Sequence, residues 1–218
     1  SISIVASILL SNQLVLARNI DNNTLSNGGK FVGGSGSIGS CGKACMSIEG
    51  GKNNNVIAWG GGFNIGKDAE VRFKGSGKGY LNLDYSKNSS ILAGILNGGN
   101  NNIFLVNPSG VLVTESGSIN ANRFVASTSA MSDADINKFR ASDSASFSPV
   151  FKPNKQGDII NKGNINANKV LLIGNNVRID GGNINGSHNS NVNNEELKKP
   201  SGNVNEELHL VGNNVFIN

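Results

Sequence analysis

The sequence predicts an all-β protein: a right-handed, single-stranded parallel β-helix with an N-terminal β cap and excursions that leave the helix. Asparagine and glycine are abundant, with 37 and 29 copies among 218 residues, and both disfavour helix interiors and suit tight corners. Hydrophobic residues make up 37% of the chain and charged residues 16%. A thin aliphatic core is therefore expected, and the low charge argues against the usual disordered composition.

Self-similar segments indicate stacked coils. The sequence GSINANRFVA begins at Gly117 and recurs as GNINANKVLL from Gly163, and a third version begins at Gly182, 19 residues after the second. The segment at residues 173–179 returns at residues 211–217, 38 residues on, which is twice 19. A repeat of this length with short strands is typical of a β-solenoid, whose inward side chains stack in one column. Alternation within the strands predicts these inward residues: Ile103, Leu105, Val111, Val113, Ile119, Val125, Val170, Leu172 and Ile179.

The N-terminal segment, residues 1–17, is apolar and ends in Val-Leu-Ala before Arg18. Its length and the alanine before Arg18 indicate the remnant of a signal peptide. Because the segment has no basic n-region, the alternative is a mature segment that forms a first buried strand. Beyond it, no segment is apolar enough to cross a membrane, and we expect an exported product.

The remaining residues, 18–218, are expected to form one domain. A β cap at about residues 18–50 covers the first coil, because an uncovered coil end would pair with other chains. Coils follow over about residues 51–218. Two segments interrupt the repeat, at about residues 131–156 and 189–207. We expect the first to pack a short helical turn and a hairpin against the side of the β-helix and the second to be a polar loop. The last coil carries no capping signal, so we expect a longer solenoid.

Cys41 and Cys45 are the only cysteines of the chain. An even number of cysteines in an exported chain favours a disulfide. In an extended strand their Cα atoms would lie about 13 Å apart, so the bond requires a tight turn, which Gly42 can supply. The spacing is not that of a redox or metal motif, and His188 and His209 are distant in sequence. We predict a local disulfide and no metal site.

A turn separates the apolar runs at residues 103–106 and 111–113. Its residues are Asn107, Pro108, Ser109 and Gly110. Asparagine at the first position bonds its local backbone, proline at the second presets φ, and glycine at the fourth tolerates the exit geometry. The sequence therefore predicts a type I β-turn between two strands.

In its wider context this turn resembles the signature of the two-partner secretion domain, which heads filamentous-haemagglutinin-like and high-molecular-weight adhesin-like exoproteins. The corresponding segments, in sequence order, are residues 29–38, 56–66, 94–96, 107–110 and 122–128. A second family motif, Asn-Pro-Asn-Leu, is missing between residues 73 and 90, as it is in several members. The Cys-x-x-x-Cys element is not general in the family.

The resemblance implies a function. Such a domain targets its exoprotein to a dedicated outer-membrane β-barrel transporter and binds the periplasmic POTRA domains of that partner while still extended; strand addition to a POTRA sheet edge would suit short β-prone segments. The resemblance also implies folding at the cell surface that templates later coils, in a Gram-negative bacterium and after passage through the periplasm. Asn107, Pro108, Ser109 and Gly110 then serve transporter recognition or only the turn, and the sequence leaves both interpretations open.

Parallel β-helices also host polysaccharide-degrading enzymes and adhesive modules. An enzyme would need clustered carboxylates, whereas Asp68, Glu70 and Asp84 lie on apparently isolated turns, so we expect no catalytic site and no cofactor. The net charge is +4, but Lys and Arg are scattered and no nucleic-acid motif is present. A host receptor or neighbouring cell is expected to be bound through the downstream exoprotein, and a glycan-binding role of the Asn- and Gly-rich coils is the alternative.

Overall fold

A computed structural model of the chain describes residues 18–33, 35–144, 148–153, 155–189 and 191–218. The predicted signal-peptide remnant at residues 1–17 lies outside the described residues. The strands are β1 (Gly29–Phe31), β2 (Gly36–Gly42), β3 (Cys45–Gly50), β4 (Asn54–Trp59), β5 (Glu70–Phe73), β6 (Ser76–Leu83), β7 (Ser90–Leu92), β8 (Ile95–Asn97), β9 (Asn100–Val106), β10 (Val111–Val113), β11 (Ser118–Ser127), β12 (Asp158–Asn161), β13 (Asn164–Ile173), β14 (Asn176–Ile179), β15 (Asn183–Asn185), β16 (Glu207–Val211) and β17 (Asn214–Ile217). The helices are α1 (Asp133–Ala141) and α2 (Asn194–Leu197).

The strands stack into three parallel faces that the chain visits in turn. The first face contains β3, β5, β8, the first halves of β11 and β13, and β15. The second contains β4, β6, β9, the second halves of β11 and β13, and β16. The third contains β7, β10, β12, β14 and β17, and Ile65 bridges to β7. One pass over the three faces is one coil, and the described residues form six coils, numbered 1 to 6 from β3. The predicted parallel β-helix is confirmed.

Antiparallel strands cover the first coil. β1 pairs antiparallel with β4, and β2 pairs antiparallel with β3. β3 also pairs parallel with β5, so it belongs both to the cap hairpin and to coil 1. The cap lies close to the coil at Gly29, where a Cβ atom would come within 2.5 Å of the Trp59 ring. Only a residue without a side chain fits there.

The interior of the helix is a column of aliphatic and aromatic side chains. Eight of the nine residues predicted to point inward lie in this interior cluster. Val125 does not: it is buried in a second cluster, on the outer side of the second face. β11 pairs continuously with β13 except at Asn122, where it turns from the first face to the second. The inward residues step from Ala121 to Phe124 across this corner, so strict alternation assigned Val125 to the wrong side.

The coils are not uniform in length. Asn164 pairs with Asn183, 19 residues on, whereas Val177 pairs directly with Val215, 38 residues on. The 38-residue spacing is therefore one coil with an insertion, and its interpretation as two periods of 19 was wrong. The insertion lies between β15 and β16 and carries α2; we call residues 186–206 the second excursion. The first excursion lies between β11 and β12 and carries α1.

The first excursion packs an amphipathic helix on the second face. The Ser132 side chain caps α1 by accepting a hydrogen bond from the Asp135 amide at 3.2 Å, and the helix has acidic residues in its first turn and basic ones in its last, as the helix dipole favours. Phe139 packs edge-on against Phe104, with ring centroids 5.6 Å apart. This contact explains why the outer side of β9 is apolar. Over the described residues, no helix is long and apolar enough to cross a membrane.

Candidate functional site

The predicted turn forms the corner between the second and third faces in coil 3. The Gly110 amide donates to the Asn107 carbonyl oxygen at 3.0 Å, which closes the turn. The Asn107 Oδ1 atom accepts from the Ser109 amide at 2.9 Å. Gly110 has φ of 112°, a conformation that favours glycine. The sequence thus makes a turn here because one side chain bonds its own backbone and one residue lacks a Cβ.

The Asn107 side chain is fully buried and joins neighbouring coils. Its Nδ2 atom donates to the Asn88 carbonyl oxygen at 2.9 Å and to the Ser90 hydroxyl at 3.0 Å. Its backbone amide donates to the Ser127 carbonyl oxygen at 2.9 Å. Asn88 and Ser90 lie beside the turn in coil 2, and Ser127 lies in coil 4. Asn107 therefore bonds the coil before it and the coil after it.

Asp84 extends this network to coil 1. Its side chain is completely buried. The Oδ2 atom accepts from the Ser90 hydroxyl and from the Phe63 amide, both at 2.8 Å, and Oδ1 accepts from the Ser86 amide at 3.0 Å. We call Asp84, Ser90 and Asn107 the corner network. Asp84 was interpreted as isolated on a turn, and this interpretation was wrong. The coil spacing is a signal for it, since Leu83 pairs with Val106 and Asp84 therefore aligns with Asn107.

Only the tip of the turn reaches the surface. Asn107 and Gly110 are buried, while Pro108 and Ser109 are half-buried. The next coil closes over the turn at Gly157, where a Cβ atom would lie 2.4 Å from the Pro108 carbonyl oxygen. In the folded protein, a partner has access to Pro108 and Ser109 but not to the Asn107 amide.

The two cysteines lie in the cap hairpin, on β2 and β3, and belong to a different part of the molecule from the turn. The structure joins Cys41 and Cys45 with a Sγ–Sγ distance of 2.03 Å and a Cα–Cα distance of 5.0 Å. Gly42 has φ of 135° and Ala44 has φ of 49°. These backbone conformations form the tight turn that connects the two strands. The described residues contain no group of three His, Cys, Asp or Glu placed to hold a metal ion. Oxidation of the pair in exported protein stays a prediction.

The fold and the corner network together define a class of protein: a capped parallel β-helix in which buried polar side chains at a corner form hydrogen bonds between neighbouring coils. Residues 35–218 match the family model described as the TPS secretion domain. The chain belongs to the TPS secretion domain family. It is also similar to the crystal structure of the HMW1 secretion domain from Haemophilus influenzae, with 28% sequence identity and a TM-score of 0.59 over 73% of this chain.

That match spans 42% of the HMW1 secretion domain chain, so this chain corresponds to less than half of that structure. No curated protein is similar enough in sequence to count as a match. Membership of the family makes this chain a secretion-targeting module of a two-partner system. TPS secretion domains as a family have a cognate transporter and belong to secreted exoproteins of Gram-negative bacteria.

Proposed function

We propose that the chain is recognised by the POTRA domains of its transporter while it is extended in the periplasm, and that it then folds at the cell surface and nucleates a β-helix. The observation that carries this proposal is the burial of Asn107 in the folded corner. A partner that contacts all four residues of the turn must therefore bind the chain before the corner folds and buries Asn107. In the folded protein the Asn107 side chain bonds coil 2 and the Asn107 backbone amide bonds coil 4, so the formation of these bonds at the cell surface favours outward movement of the chain.

The direction of coil stacking supports nucleation from the capped end. β1 and β2 close coil 1 by antiparallel pairing, while β16 and β17 each pair with one neighbour. A coil that has folded against the cap offers its next strand edge as a template for pairing with the strands that follow in sequence.

We propose no catalytic role for this domain. Each of the three buried carboxylates in the described part of the chain is engaged in holding the fold. Asp84 bonds Phe63 and Ser90, Asp158 accepts from the backbone and side-chain amides of Asn176, and Glu70 bonds one residue of its own strand and one of the second excursion. A general acid or base needs a carboxyl group that can reach a substrate.

The test compares secretion through the cognate transporter for two variants of similar stability. Asn107→Ala alters the turn, and Val170→Ala removes an interior side chain in coil 5 that no partner of the extended turn would read. We expect secretion and POTRA binding to fall much further for Asn107→Ala. An equal loss of secretion in both variants would show that the turn has only a structural role. Normal secretion of the exoprotein without residues 18–218 would contradict the targeting function as a whole.

A further inference from the structure

We propose that a polar cleft beside the second excursion binds a short acidic oligosaccharide. The cleft has a volume of about 690 Å³ and lies between the outer side of the first face and residues 187–189 and 191–197. Its floor includes Arg72 and Asn97, and its wall includes His188. This site is remote from the corner network in the fold, and the proposal does not depend on the secretion function.

The floor is a column of side chains in register on successive coils. Arg72 pairs with Asn97, and Asn97 pairs with Asn120. The Asn120 side chain donates through Nδ2 to the Leu197 carbonyl oxygen at 2.9 Å, and its Oδ1 atom accepts from Asn166 Nδ2 at 3.1 Å. The second excursion therefore covers the column from Asn120 onward. Arg72 and Asn97 continue the column and line the cleft together with Asn194 and Leu197 of the excursion.

Arg72 is held in one orientation. Its Nε atom donates to the Glu70 carboxylate, and Glu70 is buried and accepts from the Asn194 side-chain amide at 2.6 Å through its other oxygen. The pairing through Nε leaves the two terminal guanidinium nitrogens for the cleft, on a side chain that is 45% exposed. These two nitrogens form the fork that suits bidentate binding of a carboxylate.

The cleft offers further hydrogen-bonding groups to a ligand. Asn100 and Asn122 also line the cleft and bring side-chain amide groups to it. The Asn97 Oδ1 atom accepts from the Gly99 amide at 3.2 Å, which orients the Asn97 side-chain amide group. None of the described lining residues is acidic. A fixed guanidinium and several side-chain amides in one cleft, with no acidic lining residue, indicate a polar, negatively charged ligand.

The surroundings argue against a peptide or a nucleic acid. β5 and β8 are paired on both sides within the first face, so an added peptide strand finds no free edge there. The described lining residues include no Phe, Tyr or Trp side chain on which bases would stack. A saccharide supplies hydroxyl groups for the amides and a carboxylate for Arg72. A smaller hollow of about 250 Å³ shares Arg72 and carries Lys43, Lys67 and Lys198 as well as Asp68 and Glu70, which extends the basic surface.

The test is calorimetric titration of the purified protein with a galacturonate oligosaccharide, with the neutral galactose oligosaccharide and with polyglutamate. We expect binding of the galacturonate only. Arg72→Gln and Asn97→Ala should each weaken it by about tenfold, the effect of one lost hydrogen bond to a charged or oriented group. Asn97→Ala keeps the ion pair of Glu70 and so remains informative if Arg72→Gln unfolds.

Lys30→Gln is the matched control, since it removes a cation on β1 that does not line the cleft, and it should bind as the unmodified protein does. Both cleft variants should be secreted at the normal level. Absence of galacturonate binding, or equal binding by Asn97→Ala and the unmodified protein, would overturn the proposal. Equal affinity for the neutral sugar or for polyglutamate would overturn the ligand class.

Discussion

Asparagine side chains act in this molecule as links between coils. Strands of neighbouring coils lie about 4.8 Å apart, a distance that one side-chain amide can bridge. At the corner between the first and second faces, Asn122 donates to Asn102 at 2.9 Å and Asn168 donates to Asn122 at 3.0 Å. At the buried corner, Asn107 bonds backbone groups that have no strand partner. The abundance of asparagine therefore reflects a repeated hydrogen-bonding role as well as turn formation.

Replacement of Asn107 by Ala should lower the free energy of unfolding by about 2–4 kcal/mol. The change removes three hydrogen bonds, those with the Asn88 carbonyl, the Ser90 hydroxyl and the Ser109 amide, and each lost hydrogen bond costs about 0.5–1.5 kcal/mol. Denaturant unfolding measures the difference. A loss below about 0.5 kcal/mol would mean that water or a neighbouring group replaces the side chain.

The disulfide should be present in exported protein. Non-reducing mass spectrometry is expected to find the peptide that contains Cys41 and Cys45 two hydrogens lighter than its reduced form. Because the disulfide closes a very short loop, loss of the disulfide should destabilise the protein only toward the low end of about 0–5 kcal/mol. Recovery of two thiols that react with an alkylating reagent would contradict the prediction.

Tyr80 should make stability depend on pH in the alkaline range. Burial raises the pKa of Tyr80 above its usual 10.0, and Glu49 raises it further, while a hydrogen bond from the Gly50 amide lowers it. Because the folded state favours the neutral form of Tyr80, the pKa is higher there than in the unfolded chain. The stability that this preference contributes is complete below pH 10 and is lost as pH rises through the folded-state pKa. The free energy of unfolding should fall above pH 10. Tyrosinate absorbance should appear at a higher pH in the folded protein than in the unfolded chain.

The control for this titration is Tyr80→Phe, which should flatten the alkaline decline. Burial also raises the pKa of Tyr85, so a residual slope is expected from that residue. An unchanged decline in Tyr80→Phe would assign the whole effect to other groups.

At the scale of elements, each excursion fits the face that it covers. The second face is apolar on its outer side, where Val56, Leu81 and Phe104 pack with α1. The first face is polar there: Asn164 and Asn166 donate to the Lys198 and Lys199 carbonyl oxygens of the second excursion. One excursion is therefore held by apolar burial and the other by side-chain amides that bind its backbone.

Truncation of Phe139 should detach the first excursion more than it damages the coils. Phe139 is completely buried in the second cluster, and the loss of such a side chain costs about 3–5 kcal/mol. We expect limited proteolysis to cut the first excursion of Phe139→Ala while the coils persist. Val150→Ala is the control, because that side chain is exposed and its loss should change stability by about 0.5 kcal/mol or less.

At the scale of the whole molecule, stability should decrease along the stack of coils. The cap pairs with coil 1, central coils are paired on both sides, and β16 and β17 are paired on one side. Ile217, at the edge of coil 6, is 69% exposed, whereas the interior residues of β9 are fully buried. In solenoids each repeat is stabilised mainly by its neighbours.

Hydrogen exchange should therefore proceed faster in β16 and β17 than in β6 and β9 of the 218-residue chain. Backbone amides that lie at an open end are released by local opening, and central ones require wider unfolding. Exchange measured by mass spectrometry on peptic peptides resolves the two regions. Uniform protection over all coils would show that the stack opens as one cooperative unit.

The sequence by itself determined the architecture, the turn at residues 107–110 and most of the interior column. Repeated corners and alternating strands are local patterns, and a β-helix is a succession of local units, so these features are readable without tertiary information. The tertiary structure decided the rest. It moved Val125 to the outer side, because the bend at Asn122 breaks the alternation. It also joined Asp84 to Asn107 through Ser90 and placed Arg72 and His188 in the lining of one cleft, because coil stacking and the return of an excursion over the first face bring together residues that lie far apart in sequence.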